Sequence, residues 1–404
     1  MILKYKPLIF YFLIISTIIL ISCSNDNPPT SPENTSNGYI YNVPEQTSDG
    51  WETASLSDVG MDRTVIINLM NDLQNRNHLL HSIVVVRNGK LVFEEYFSGR
   101  DVELDEQVAG SGVLKYTSRN FDLKTLHFQG SANKSFWSAM IGIAIDKGFI
   151  QSTSEKMFSY FPEYNDLSSS EKDKITILNM LTMTSGLPWD DGSYPIYDPR
   201  NDEYQLLFNE DPVRFVLEKP VVTSPGTNFH YNSGTTFLLS EIIKRSSGIS
   251  LDEFVDQFLF APLQITSYRW SNSRNTHNSI FAAGLYLRPR DMAKLGQMYL
   301  QDGMWNANRI VSEQWTNESS GESIHFPTIH PPLPNFITGY GYQWWMGKFN
   351  NLTDVYCAAG WGGQFIMVLP DVNTVVVFTA GDFEKNNFQL QFDIVNDFIL
   401  SAIL

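Results

Sequence analysis

The stretch Ser131-Ala132-Asn133-Lys134-Ser135-Phe136-Trp137-Ser138-Ala139-Met140-Ile141-Gly142-Ile143-Ala144-Ile145 decides how this chain is read. Its apolar residues from Phe136 onward have helical density, and Gly148 is a stop signal. That places Ser131 at the start of a helix. A residue three positions on shares its face, so Lys134 reaches the serine hydroxyl. Serine chemistry needs this proximity, because a hydroxyl is a poor nucleophile until a base takes its proton. A lysine serves as that base only when its pKa falls from about 10.4, which burial achieves. The helix N-terminus adds partial positive charge and N–H donors beside the reacting atom. A serine at a helix start and a lysine in the first turn are also ordinary capping residues, so the quartet alone does not establish chemistry.

Two segments further on give it company. Pro225-Gly226-Thr227-Asn228-Phe229-His230-Tyr231-Asn232-Ser233-Gly234 precedes an amphipathic helix carrying Phe237, Leu238, Leu239, Ile242 and Ile243. Tyr231 falls in the loop before that helix, where side chains project into clefts. Beside a lysine its phenol is acidified, and the two share a proton as base and then acid. Taken by itself, Tyr231 reads more readily as a structural tyrosine hydrogen-bonding its own loop. Ala358-Ala359-Gly360-Trp361-Gly362-Gly363-Gln364 enters the strand Phe365–Leu369. Its glycines let a backbone approach a ligand. Its N–H groups can stabilise an oxyanion together with the N–H of Ser131. A bulge at a strand start is the plain alternative.

The order and spacing of the three segments resemble the serine β-lactamase and penicillin-recognising superfamily, in its class C-like esterase and amide-hydrolase branch (6-aminohexanoate-dimer hydrolase type). The resemblance extends to Leu126-His127, to Leu181-Thr182-Met183-Thr184-Ser185-Gly186-Leu187 with Trp189-Asp190, and to Gly284-Leu285-Tyr286 with Pro289-Arg290-Asp291-Met292-Ala293. It also takes in Gly341-Tyr342-Gln343-Trp344-Trp345. It implies Ser131 as the acylated nucleophile, Lys134 as its proton partner, and Tyr231 as general base and acid. It further implies an oxyanion hole from the backbone N–H groups of Ser131 and Trp361, with Trp189, Ser233, Ala358, Gly360 and Gly362 at the substrate. Two departures stand out. The second motif often reads Tyr-x-Asn in the family, and here it is Tyr231-Asn232-Ser233. The third often opens with a Lys or His and a hydroxyl residue, and here Ala358 and Ala359 stand there. Where that cation and hydroxyl hold a substrate carboxylate, this chain has no anchor. The alanine version resembles members that cleave short esters or amides of linear amino-acid oligomers.

Around these motifs the elements can be sketched. Met61 to Asn75 has a helical face of Val65, Ile66, Leu69, Met70 and Leu73. Ser82–Arg87 and Leu91–Phe97 form a hairpin through Asn88-Gly89, and Gly363–Leu369 and Thr374–Thr379 form another around Pro370-Asp371. Phe388 to Ile403 is helical again. Strands at both ends with helices between predict an α/β (α+β) fold: one antiparallel sheet built from both chain ends, flanked by helices, with an inserted helical region. The resemblance makes this a β-lactamase-like sheet. The expected hydrolase domain covers residues 50–404.

Ahead of it, Lys4 and Lys6 precede an apolar run from Leu8 to Ile21, short for a membrane span of about 20 residues. The run ends at Leu20-Ile21-Ser22-Cys23, which resembles a bacterial lipobox. Residues 1–22 are then a lipoprotein signal peptide and Cys23 the lipidated residue. An ordinary signal peptide or an uncleaved anchor is the other reading. Residues 23–49, rich in Asn, Ser, Pro and Thr, read as a flexible tether. The expected location is the bacterial envelope, periplasmic or outer surface. With Cys23 lipidated, Cys357 has no disulfide partner and reads as a small buried hydrophobe.

A net charge of −16 repels nucleic-acid phosphates and anionic membrane surfaces, which sets both aside as electrostatic partners. The histidines form no His-Glu-x-x-His, and His325 and His330 lie in a Pro-rich stretch without cysteine or acidic ligands, so no metal site is expected. His127 reads as ordering the turn before Ser131. No Gly-x-Ser-x-Gly elbow occurs, which argues against an α/β-hydrolase. No phosphate loop or dinucleotide fingerprint occurs either, and no cofactor is expected. Trp189 and Trp361 flank motifs and are read as cleft residues. Trp344 and Trp345 are read as cleft or core. Asp190 and Asp191 fit either a substrate amine or a solvated loop. The leading function is a serine hydrolase cleaving a small neutral ester or amide through an acyl-Ser131 intermediate. The alternatives are a β-lactamase or D,D-carboxypeptidase, and a non-catalytic ligand-binding envelope lipoprotein.

Overall fold

The two hairpins read from opposite ends of the chain lie side by side. A computed structural model describes residues 38–102, 115–196, 198–271, 284–326, 336–349, 353–385 and 387–403. Residues 1–37, which include the expected signal peptide and Cys23, lie outside the described residues. The main sheet contains β1 (Glu52–Thr53), β2 (Leu80–Arg87), β3 (Lys90–Tyr96), β4 (Ile324–His325), β5 (Ile337–Tyr340), β6 (Trp345–Lys348), β7 (Asp354–Gly360), β8 (Gln364–Leu369) and β9 (Thr374–Ala380). Their order across the sheet is β1-β3-β2-β9-β8-β7-β6-β5-β4. All neighbours are antiparallel except β1 and β3, which pair in parallel through Glu52–Lys90 and Thr53–Leu91. The sheet is therefore mixed at one edge. Asn88 and Gly89 turn the first hairpin with φ of 51° and 78°, as an Asn-Gly turn requires.

Alternation divides the sheet's side chains between two apolar layers. Val84, Val86, Ile366, Val368, Val375 and Val377 face helices α2 (Asn133–Asp146) and α4 (Pro289–Leu300), with α3 (Ser233–Ser247) in the same layer. Ile83, Val85, Phe365, Met367, Val376 and Phe378 face α1 (Arg63–Gln74) and the C-terminal helix. That last helix is α-helical over Gln389–Asp393, then widens over Ile394–Ile399, where the N–H of Leu400 reaches the carbonyl of Val395. The wider turn brings positions five apart onto one side, which lets Ile394 and Ile399 both bury. Short helices over residues 177–260 and α3 form the inserted helical region.

The compact unit begins at Tyr39, earlier than the expected Gly50. Tyr41 donates its hydroxyl proton to the carbonyl of Val92 at 2.8 Å. The Arg290 guanidinium, 2% exposed, bonds the carbonyl of Glu45 and the carboxylates of Asp49 and Glu94. A buried guanidinium has to be paired, and residues 45–49 supply part of that pairing. The polar composition that reads as tether is here a set of hydrogen-bond acceptors.

Candidate active site

Ser131 lies in a single turn, Gly130–Ala132, that runs straight into α2. Gly130 has φ of 51°, and a Cβ there would lie 2.9 Å from the backbone N of Trp361. Gly360, closing β7, is tighter: a Cβ there would lie 2.0 Å from the carbonyl oxygen of Gln129. Only glycine permits that approach. The glycine backbone does come close to something, as its sequence predicts, but the partner is the serine turn rather than a ligand. The consequence is that the N of Trp361 stands beside the turn carrying Ser131.

Helix α2 is buried over its whole first three turns, so its polar residues face protein. Lys134 is 1% exposed, donates from Nζ to Ser131 Oγ at 3.1 Å, and lies 4.9 Å from the centre of the Tyr231 ring. Tyr231 interacts electrostatically with Lys134, and Ser131 and Lys134 both act on its phenol. Its ring stacks on Trp345 with centres 5.7 Å apart. Asn232 fixes the backbone beside it: the side chain caps α3 by accepting from the N–H of Thr235 and donates to the carbonyl of Leu187. The three residues singled out from separate segments meet at one point.

Their protonation differs from expectation. Burial pulls the Lys134 ammonium down, but Tyr231, Glu203 and Asp191 outweigh it, and the pKa stands above the ordinary lysine value. Burial lifts the Tyr231 phenol, and Lys134 and Ser131 offset only part of that, so it too stands above its ordinary value. The predicted lowered lysine and acidified tyrosine are both corrected. For Lys134 the reason is Tyr231 together with Glu203 and Asp191, and for Tyr231 it is burial.

Glu203 is the second residue of the short helix Asp202–Phe208, is 6% exposed, and lies near Ser233, which acts on its carboxyl. Its Oε2 is buried without a hydrogen-bond partner. Burial, partly offset by Lys134, raises its pKa. Asn201-Asp202-Glu203 reads in sequence as a cap with an acidic first turn, so nothing there singles Glu203 out. Asp190 accepts from the N–H groups of Gly192 and Ser193 and so caps its own loop. Asp191 opens to solvent and interacts electrostatically with Lys134 and Tyr231.

Several expected substrate residues turn out to be support. Trp189 is 5% exposed and its ring packs where a Cβ on Gly234 would lie 2.4 Å away, so it belongs to the core beneath α3, not the cleft. Ser233 is buried behind the site, near Glu203. Ala358 faces the α2 layer of the core, and Gly362 packs under Phe383. Trp361 is half-buried, with Nε1 donating to the carbonyl of Phe383. Trp344 is fully buried beside Tyr299 and Tyr356, whereas Trp345 stands half-buried against Tyr231. His127 is buried, and the Gln129 amide donates to its carbonyl, which helps order the turn. Cys357 is fully buried, and burial pushes its thiol pKa up.

The family model described as Beta-lactamase matches residues 73–391. The chain belongs to the beta-lactamase family. It is 26% identical over 280 residues to 6-aminohexanoate-dimer hydrolase of Paenarthrobacter ureafaciens, a match covering 66% of this chain and 69% of that protein. Among solved structures, the D-amino acid amidase of Ochrobactrum anthropi SV3 superposes with a TM-score of 0.61 at 17% identity, covering 84% of this chain and 97% of that one. A family VIII carboxylesterase superposes with a TM-score of 0.61 at 15% identity, covering 82% and 96%. At these identities the superpositions speak to the fold. This member of the beta-lactamase family is a serine hydrolase by family, with the mixed sheet and flanking helices of that fold.

Proposed function

We propose that the protein hydrolyses a small neutral or ammonium-bearing ester or amide through an acyl-Ser131 intermediate. The observation that carries this is the 3.1 Å hydrogen bond from the buried Lys134 Nζ to Ser131 Oγ, with the Tyr231 ring directly beside it. Ser131 Oγ attacks the carbonyl carbon, and its proton passes to the Tyr231–Lys134 pair. The N–H groups of Ser131 and Trp361 hold the oxyanion. The pair then protonates the departing alcohol or amine as the tetrahedral adduct collapses to acyl-Ser131. Water attacks the acyl carbon next, the pair takes its proton and returns it to Ser131 Oγ as the ester bond breaks, releasing the acid and free Ser131.

Charge favours this class of substrate over a β-lactam. Ala358 and Ala359 offer no cation or hydroxyl to a substrate carboxylate, and Asp191 and Glu203 put negative charge near Lys134. A free carboxylate is repelled there, while a neutral or ammonium-bearing acyl compound is not. The test compares turnover of p-nitrophenyl acetate with nitrocefin by the full chain. Ester turnover is expected to vanish in Ser131→Ala and to fall about 100-fold or more in Lys134→Ala and Tyr231→Phe. Nitrocefin turned over faster than the ester would reverse the substrate assignment.

For the N-terminus, the reading is a lipid on Cys23 that holds the hydrolase at a membrane of the bacterial envelope, supported by Leu20-Ile21-Ser22-Cys23 after the apolar run. Expressed in a bacterium, the full chain is expected to incorporate labelled palmitate. Label of equal intensity in Cys23→Ala would contradict it.

A further inference from the structure

We propose that His230 is a positioning residue for the Ser131 reaction, tying the segment that carries Asp191 to the loop that carries Tyr231; this rests on the function proposed above. The N–H of His230 donates to the carbonyl of Met183 at 2.7 Å, which fixes its backbone. Its ring Nε2 lies 2.9 Å from the N of Trp189 and 2.9 Å from the carbonyl oxygen of the same residue. A ring protonated only on Nδ1 accepts from the Trp189 N–H, and one bearing a proton on Nε2 donates to the carbonyl. The ring therefore has a backbone partner at Trp189 in either state.

What this bond holds is specific. Tyr231 follows His230 directly, and Asp191 lies two residues beyond Trp189. The Trp189 ring is wedged against Gly234 of α3. The N–H of Asp190 donates to Asp202 Oδ2 at 2.8 Å, next to Glu203. Asn232 adds a second tie to the carbonyl of Leu187. His230 thus sits at the joint between the Tyr231 loop and the segment placing Asp191, whose charge acts on both Lys134 and Tyr231. The charged groups that face it from that segment are Asp190 and Asp191. Its side chain is exposed and packs into no core, so losing it removes the tie without opening a cavity.

The test measures kcat and KM for p-nitrophenyl acetate in the full chain, in His230→Gln, His230→Leu and His230→Asn, with Ser131→Ala alongside. A glutamine amide reaches the place of Nε2 with an acceptor and a donor, leucine offers neither, and asparagine falls short. Leucine and asparagine are expected to lower kcat about tenfold with KM within about twofold, since His230 touches no substrate, while glutamine restores kcat to within about twofold. Wild-type kcat in His230→Leu, or a glutamine variant as impaired as the asparagine one, overturns the proposal. If the leucine variant does not fold, the comparison of glutamine with asparagine decides alone. Retained turnover in Ser131→Ala would remove the reading of the site itself. An inactive Ser131→Ala beside an unimpaired His230→Leu removes only the role of His230.

Discussion

Burial strips the Lys134 ammonium of hydration, and Tyr231, Glu203 and Asp191 more than restore what is lost. The pair accordingly rests as ammonium and phenol, and a proton must leave it before either group can act as base. Both pKa values stand above their ordinary positions, so the deprotonated fraction grows as pH rises. The expected profile of kcat/KM for ester climbs on the alkaline side and is still rising at about pH 8, with an apparent pKa that belongs to the pair. Glu203→Gln removes a negative charge that favours the ammonium, so its rise is expected at lower pH than in the wild type. Superimposable profiles would contradict that role for Glu203. Ser131, Lys134 and Tyr231 were legible as candidates because the order and spacing of their segments resemble one family, which local spacing and loop position alone do not establish. Glu203 was not, because its effect depends on a buried side chain meeting Lys134 across the fold, and no local pattern records that.

Secondary structure shows where reading by period succeeds and where it stops. β2, β3, β8 and β9 alternate or run apolar between clear turns, and their hairpins could be placed from Asn88-Gly89 and Pro370-Asp371. β1 and β4 have two residues each and are strands only because a neighbour pairs with them. The same limit explains Trp189. Adjacency to a motif suggested the cleft, yet the side chain turns under α3 because Gly234 leaves room for an indole there. Gly360 was legible as a position needing glycine, but its partner, the carbonyl of Gln129, comes from a segment distant in sequence. Sequence therefore marks the need for close approach without naming what approaches.

At the scale of the molecule, the sheet and helical region are joined by the site itself. Ser131 and Lys134 come from the turn and first residues of α2, the N of Trp361 from the end of β7, and Tyr231 and Glu203 from the inserted helical region. That architecture was legible from the arrangement of strands at both ends. The start of the compact unit was not. Tyr39 to Asp49 has the composition of a tether, and what docks it is Arg290, far along the chain, together with the packing of Tyr41 on β3.

The central claim is that Ser131 becomes acylated, and the most direct measurement maps the covalent adduct. The full chain is treated with a fluorophosphonate, which transfers its phosphoryl group to an activated serine with loss of fluoride, and the modified peptide is identified by mass spectrometry. One adduct per chain on the peptide containing Ser131, absent from Ser131→Ala, is the expected result. No adduct, or an adduct on another residue that persists in Ser131→Ala, would contradict the account.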